Sequence, residues 1–347
     1  MYSYKKLDSL QCFRGLAALS VALFHATATT NPLALGGVGH FGFLGVDFFF
    51  VLSGFIILNS HFDDHKTIAA LKNYYIKRII RIYPPFWPIS IGMILIYFYI
   101  PNLSNNPTGT HNNISLLSSI LLLPDTTGPA LNVAWTLIYE ILFYLIFTIY
   151  FISGRLFFIF IVSWVIIIFA NIYLTGLPQN SYDMPSNWLT HLISPINLEF
   201  ILGMITAYLT KKIPRQFGRP IFLLGILSFI LFLFWPFALV CRPLFALTFA
   251  IIVLGSVLLE WQGKLKSPQC LIKLGDASYS IYLVHNPLIS VSNRFTAHSF
   301  GSTNYTLAIL ASILFSIFVG YLYHFIVEKP LTNFLRSQLT LAQNNIH

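Results

Sequence analysis

Residues 7–26 read LDSLQCFRGLAALSVALFHA. The apolar part, roughly 11–28, is long enough to cross a bilayer as one helix, since a span needs about 17–25 predominantly apolar residues. It nevertheless carries two ionisable side chains, Arg14 and His25. Their spacing is about three helical turns, so both point to nearly the same side, about 16 Å apart along the axis. Ionisable groups inside a bilayer helix are costly and generally line a bundle interior or a cavity, which makes them candidates for function. A plainer reading stays open at this point: Arg14 marks one membrane boundary and His25 caps the opposite end.

The rest of the chain matches this start. Of its 347 residues, 56% are hydrophobic, 16% aromatic and only 9% charged, against about 25% charged in soluble domains. This composition implies a polytopic membrane protein. No polar stretch exceeds about 30 residues, too short for an independent core, so residues 1–347 are read as a single transmembrane domain. The N-terminal MYSYKKLDSLQCFRG offers no small-residue cleavage site after a short apolar run, so no removable signal peptide is expected. Ten runs are long enough to span: roughly 11–28, 41–59, 85–101, 131–152, 156–174, 192–210, 221–239, 243–260, 274–293 and 305–327. The fold class expected is an all-α integral membrane protein with about ten transmembrane helices. An eleventh run, Ile114–Leu123, is too short to cross and reads as interfacial or re-entrant.

Net charge is +9. In a soluble protein that would suggest nucleic acid; here it reports topology. With the N-terminus inside, only Arg242 and Arg294 of the 20 Lys and Arg residues fall in outer segments, a strong positive-inside bias. Both termini are therefore expected in the cytoplasm, with the lipid bilayer rather than nucleic acid as partner. The outer loops, Thr29–His40, Asn102–Asn113 and Gly176–Thr190, are polar and hardly charged. That is ordinary loop chemistry and equally suits an uncharged or anionic polar substrate. Cys12, Cys241 and Cys270 are scattered, without metal or disulfide spacing.

Several spans carry groups suited to chemistry. Asp47 lies inside FGFLGVDFFFVLSGFII and needs a basic partner on a neighbouring helix. In LKNYYIKRIIRIYPPFWP, Arg78 and Arg81 share a helical face, and Pro84–Pro85 are expected to stop that element and start the next span. Two such guanidiniums suit a phosphate-bearing ligand, or a basic segment lying on anionic headgroups. Glu140, in WTLIYEILFYLIF beside Trp135 and Tyr139, reads as an acid/base, a partner for substrate hydroxyls, or a helix–helix hydrogen bond; Glu199 is similar. The span LGDASYSIYLVHNPLI carries Tyr279, Tyr282 and Asn286 on one face, with His285 beside them, as a polar cavity wall would. Pro287 is expected to break or kink it. Glu328 and Lys329 sit at the boundary of the last span. His25, His285 and His324 lie on different spans without metal spacing, and no phosphate-binding Gly loop or Gly-x-Ser-x-Gly elbow occurs.

In order and spacing these motifs resemble one family. Arg14 and His25 with ten residues between them, FFFVLSGFII, Arg78-Ile79-Ile80-Arg81 before a Tyr-Pro, Trp135-Thr136-Leu137 with Glu140, SYSIYLVH, and the closing Glu328-Lys329-Pro330 together resemble the acyltransferase-3 family of bacterial membrane proteins, which O-acylate sugars of exported or surface glycans. The likeness covers essentially the whole chain and is closest to the stand-alone type, without an SGNH-like domain. It implies a multi-pass protein of the bacterial inner membrane that moves an acetyl group from acetyl-CoA to a glycan hydroxyl without a metal. It makes His25 the general base or a transient acyl carrier, and Arg14 the basic residue that precedes it. Arg78 and Arg81, with Arg14, would hold the coenzyme, and Glu140 matches the family's buried Glu. Asp47, Trp135, Tyr279, Tyr282 and His285 are the candidate substrate contacts, and the pantetheine arm is expected between the first two spans. The rival reading is a proton-coupled glycan transporter or flippase, which buried His, Glu and Asp also suit.

Overall fold

The computed structural model describes residues 7–64, 66–100, 115–176, 187–235, 242–300 and 305–344. The loop Asn102–Asn113, most of Gly176–Thr190, the end of the 221–239 run and Cys241 lie outside these residues. The helices are α1 (Asp8–Thr30), α2 (Leu44–His61), α3 (Ile68–Tyr99), α4 (Leu116–Leu121), α5 (Trp135–Ile152), α6 (Gly154–Thr175) and α7 (Trp188–Leu192), then α8 (Asn197–Thr210), α9 (Gly218–Leu233), α10 (Arg242–Trp261), α11 (Gln269–Asp276), α12 (Ser278–Phe300), α13 (Tyr305–Tyr323) and α14 (Lys329–Asn344). Each of the ten expected spans falls on a helix. Among the described residues, eight helical segments are long and apolar enough to cross a membrane; the other two positions hold the 14-residue α8 and the polar α12. The protein is a multi-pass, all-helical membrane protein.

α2 lies at the centre. Its Val51, Phe55 and Ile57 are fully or almost fully buried in one large apolar core with α5, α8 and α10. Small residues bring backbones together, as in other bilayer helix pairs. A Cβ on Gly203 of α8 would sit 1.9 Å from the Val51 carbonyl oxygen, and one on Gly54 of α2 would sit 2.0 Å from that of Phe200. At the periphery, α6 and α9 turn large apolar side chains outward, among them Phe158, Ile166, Leu223 and Leu231. In water such a belt would be untenable; in lipid it is the expected outer face.

α1 packs against α11 and then runs parallel to α12. Gln11 meets Gly275, Ala18 meets Ala277 and Ile281, and Ala26 packs with Ile289. The start of α1 is held by Glu260 of α10, whose carboxylate accepts from the Asp8 and Ser9 amides at 2.8 and 2.9 Å. This satisfies N–H groups that a helix start leaves unpaired.

One proline expectation is corrected. α3 runs unbroken for 32 residues through Pro84, Pro85 and Pro88, so the basic segment and the third span are one helix. Pro removes intrahelical donors, and in bundles neighbouring groups supply replacements. The carbonyls that lose a donor are those of Ile80, Arg81 and Pro84; the same stretch is braced from outside by Tyr279, whose hydroxyl donates to the Ile82 carbonyl at 2.9 Å, and by Tyr323, which donates to that of Pro85 at 2.7 Å. Pro287 does not break α12, which continues through it. The short run before residue 123 forms only the six-residue α4, seated on α3 by hydrogen bonds from Tyr83 and Trp87 to the Leu121 and Ile120 carbonyls.

Gly203→Val is expected to destabilise the fold by about 3 kcal/mol or more, because the crossing cannot absorb a branched side chain. Thermal unfolding in detergent checks this, with Ile205→Val, on an exposed position of the same helix, as the control.

Candidate active site

A cavity of about 810 Å³ opens among α2, α3, α5, α12 and α14. α1 contributes only Arg14 to its wall, so the cavity does not run between the first two spans. One end is polar and basic, with Arg14, Lys77, Arg78, Arg81 and Arg336 in the wall and Glu140 as the one carboxylate. Arg14 comes from the first helix and Arg336 from the last. Towards the other end the wall becomes apolar and aromatic: Val46, Phe49, Phe50, Leu137 and Tyr282.

Arg78 and Arg81 share a face of α3, as their spacing requires, but their partners differ. Arg78 donates through Nη2 to His61 Nε2 at 3.1 Å. His61 Nδ1 lies 2.7 Å from Asp64 Oδ2; a carboxylate accepts, so Nδ1 carries the proton and Nε2 is free to accept. The guanidinium of Arg78 also lies over the rings of Tyr74 and Tyr144, at 5.6 and 5.5 Å, and its Nε is buried without a partner. Arg81 is already neutralised. It donates to Glu328 Oε1 at 2.8 Å and lies 4.9 Å from the centre of the Tyr279 ring. Glu328 also accepts from Ser280 at 2.7 Å and from His324 at 2.8 Å. It ends a π-helical turn, His324–Glu328, between α13 and α14, the kind of local widening often found at functional sites. The sequence marks Glu328 only as a boundary residue. Arg336 and His61 likewise escape a reading that looks for function inside spans.

Arg14 is half-buried in the cavity wall, and it donates through Nη1 to the Gln11 side-chain oxygen at 3.5 Å. Glu140 faces the cavity and accepts from the Tyr144 hydroxyl at 2.5 Å. Tyr282 reaches across to Thr136 Oγ1 at 2.9 Å and to the Val133 carbonyl at 3.2 Å. Its ring meets Phe49 at 5.9 Å on one side and His285 at 5.5 Å on the other. His285 in turn lies 5.2 Å, centre to centre, from His25. The imidazole of His25 is thus not in the cavity wall but behind Tyr282, two ring contacts beyond it.

The structure does not bring Asp47 to this cavity. Asp47 is fully buried and bound by Arg242 of α10, through Nε at 2.8 Å and also through Nη2. The Glu199 carboxyl lies beside it. The expected basic partner on a neighbouring helix exists, and it is a residue that the charge pattern assigns to an outer segment. Trp135 packs edge-on against Phe50 and Tyr139, outside the cavity wall.

The acyltransferase-domain family model known as acyltransferase-3 matches residues 7–325. The chain belongs to the acyltransferase-3 family. It is similar to the exopolysaccharide production protein ExoZ of Rhizobium meliloti, 30% identical over 89% of this chain and 94% of that protein. It is similar to the acyltransferase MdmB of Streptomyces mycarofaciens, 26% identical over 97% of this chain and 94% of that one. It also matches the peptidoglycan O-acetyltransferase OatA of Listeria monocytogenes, 25% identical over 84% of this chain and 50% of OatA. No solved structure matches. The protein is therefore a membrane acyltransferase of the acyltransferase-3 family, and acyl transfer rather than transport alone is its class of activity.

Arg242→Leu would leave the buried Asp47 and Glu199 without their cation. Removing one partner of a buried pair costs about 3–5 kcal/mol, so the variant is expected to unfold at a markedly lower temperature in detergent. Adding Asp47→Asn should recover part of the loss.

Proposed function

We propose that the protein transfers an acetyl group from acetyl-CoA to a hydroxyl of a cell-surface or exported glycan, with His25 as general base. The observation that carries this reading is the cavity itself. A cation-rich end and an apolar aromatic end are joined in one space, and its wall residue Tyr282 lies one ring contact from His285 and two from His25.

The residues suit such a donor. Arg binds phosphate bidentately and Lys as a point charge. Arg14, Lys77 and Arg78 are the cations placed to receive the phosphates. Arg81, neutralised by Glu328, adds little net charge there. The pantetheine arm then lies along Phe49, Phe50 and Leu137, with Tyr282 at its end. Along α1 the distance from Arg14 to His25 is about 16 Å, which separates the phosphate end from the reacting end. Neutral imidazole suits proton removal from a hydroxyl near neutral pH. Glu140, paired with Tyr144, holds the polar middle of the cavity. The relatives named for exopolysaccharide production and peptidoglycan O-acetylation support a polymeric sugar as acceptor. With the basic end in the cytoplasm, both termini lie there as well, and the donor arrives from that side of the bacterial inner membrane.

Acetyl transfer measured in membranes with labelled acetyl-CoA tests the reading. His25→Ala and His25→Gln are each expected to lower turnover by about 100-fold or more, the usual worth of a positioned base; near-normal turnover in either removes His25 from this role. Mass spectrometry of the surface glycan from a deletion strain should show loss of acetyl groups with the polymer retained.

Arg78→Ala is expected to weaken acetyl-CoA binding by about 10- to 100-fold, the worth of a charge-assisted hydrogen bond at roughly 1.5–3 kcal/mol. Unchanged binding with reduced expression would instead make Arg78 a headgroup contact.

A further inference from the structure

His285 has an arrangement that its place near a substrate does not require. Its Nδ1 lies 2.6 Å from the carbonyl oxygen of Tyr282, one turn earlier on α12. A carbonyl can only accept, so Nδ1 carries the hydrogen and the neutral ring leaves Nε2 as a bare acceptor. That Nε2 is buried and has no partner, and the whole residue is 0% exposed. A buried acceptor left unpaired costs roughly 1–3 kcal/mol, so its survival asks for a donor. The neighbouring ring that can supply one is His25, whose centre is 5.2 Å away at an interplanar angle of 48°. Neither ring has a carboxylate partner among the described residues.

We propose that His285 is a positioning residue for His25: its Nε2 accepts a hydrogen bond from one nitrogen of the His25 ring and leaves the other nitrogen directed at the acceptor hydroxyl. This rests on the reading of His25 as the base. The arrangement parallels the general rule that a catalytic base is oriented by a third group, with a neutral imidazole where a carboxylate is more usual. In this site a carboxylate would need to be buried without a cation, which is expensive.

The packing holds the two rings in register. Ala18 against Ala277 and Ile281 lies on the inner side of the pair, and Ala26 against Ile289 lies on the outer side. One turn further out, Asn293 of α12 donates to Thr29 of α1 at 2.9 Å. The step itself balances without any further reactant. The hydroxyl oxygen bonds to the thioester carbonyl carbon, and the carbon–sulfur bond breaks. The hydroxyl proton passes to His25 and from there to the leaving thiolate. While His25 is protonated, its other N–H points at His285 Nε2, so the charge has an acceptor and the ring cannot rotate away.

The test compares His285→Leu with His285→Gln, measured as release of coenzyme A from acetyl-CoA in membranes of the producing strain, which hold the native acceptor. Rates are expressed per folded molecule, counted by fluorescence size-exclusion. His285→Leu is expected to lower kcat by about 100-fold, the scale of general-base catalysis, with the KM for acetyl-CoA unchanged. His285→Gln, which keeps an acceptor, is expected to recover at least about tenfold of that loss. A purely packing role would reduce the amount of folded protein and leave kcat per folded molecule intact. Should the Leu variant not accumulate, His285→Phe, which keeps a ring, takes its place. A kcat within threefold of the unsubstituted protein in the apolar variant overturns the proposal, as does equal loss in the Gln and apolar variants. If His25→Ala keeps its turnover, the base reading itself has failed; if His25→Ala is inactive while both His285 variants are normal, only the positioning role has.

Discussion

The close approach of α1 to α11 is the constraint on which the site depends. A Cβ on Gly275 would sit 1.8 Å from the carbonyl oxygen of Gln11, and one on Gly15 would sit 3.0 Å from the amide nitrogen of Gly275. Two backbones therefore touch at this point, and only glycine permits it. Because α1 then runs parallel to α12, the contact sets the register of everything further along. Arg14 comes to the cavity wall, and His25 comes opposite His285. Each residue of slippage rotates a helix face by about 100°, so a one-residue shift would carry His25 away from its partner and Arg14 out of the cavity. The Glu260 carboxylate that receives the first amides of α1 fixes the same register from the helix start.

Given that scaffold, charge explains what each buried ionisable group is free to do. In a low-dielectric interior a charge must be paired or must meet water. Asp47 is committed to Arg242, and Glu328 to Arg81, Ser280 and His324. Both clusters are braces. Asp47 joins α2 to α10, which stand next to each other in the core. Glu328 joins α3 to the π-helical turn and to α12, and so closes the basic end of the cavity. What remains for a ligand is Arg14 and Lys77, with no ion pair among the described residues, and Arg78, which spends one donor on a neutral imidazole. The sequence pattern treats Arg78 and Arg81 as equals. Their surroundings separate them, into one guanidinium with capacity to spare and one that is already satisfied.

Much of this architecture is legible in the sequence, and the reasons for the exceptions are physical. Length and apolarity place every expected span on a helix, eight of them long and apolar enough to cross among the described residues, since a bilayer imposes both on each helix separately. The spacing of Arg14 and His25, or of Arg78 and Arg81, survives because helical periodicity is local. Pairings between distant segments are different in kind. Nothing near Asp47 reports that Arg242, 195 positions away, is its counter-ion. Nothing near Pro84 and Pro85 reports that Tyr279 and Tyr323 supply hydroxyls at that turn of α3, so a proline pair that breaks an isolated helix passes for a helix end. Asp47 and Trp135 fail as cavity residues for the same reason. Their polarity or aromaticity is visible, but the face they share with a cavity is settled by the neighbouring helix. Glu328 was visible as part of a closing motif, while its three donors lie on three different elements.

The partition between the cavity and the histidine pair gives the arrangement its chemical logic. Tyr282 is tied to Thr136 and to the Val133 carbonyl, with Phe49 edge-on against it. On the proposed reading, the phosphates stay at an end rich in cations, while the thioester is delivered to an end that holds none in its wall. A thioester exposed to water beside a base would be hydrolysed, so acyl transfer to sugar requires that water be kept from His25 until the acceptor arrives. Excluding water is a function that an aromatic wall can perform, and Tyr282 stands where it would be needed, touching both the cavity and His285. Its hydroxyl contacts hold it in that position at no electrostatic cost, since Thr136 and Val133 belong to the first turn of α5 and the residues just before it. The same ring that ends the donor cavity thereby supplies, through its backbone carbonyl, the acceptor that sets the tautomer of His285. The cavity wall and the tautomer of His285 are for that reason set by a single turn of α12.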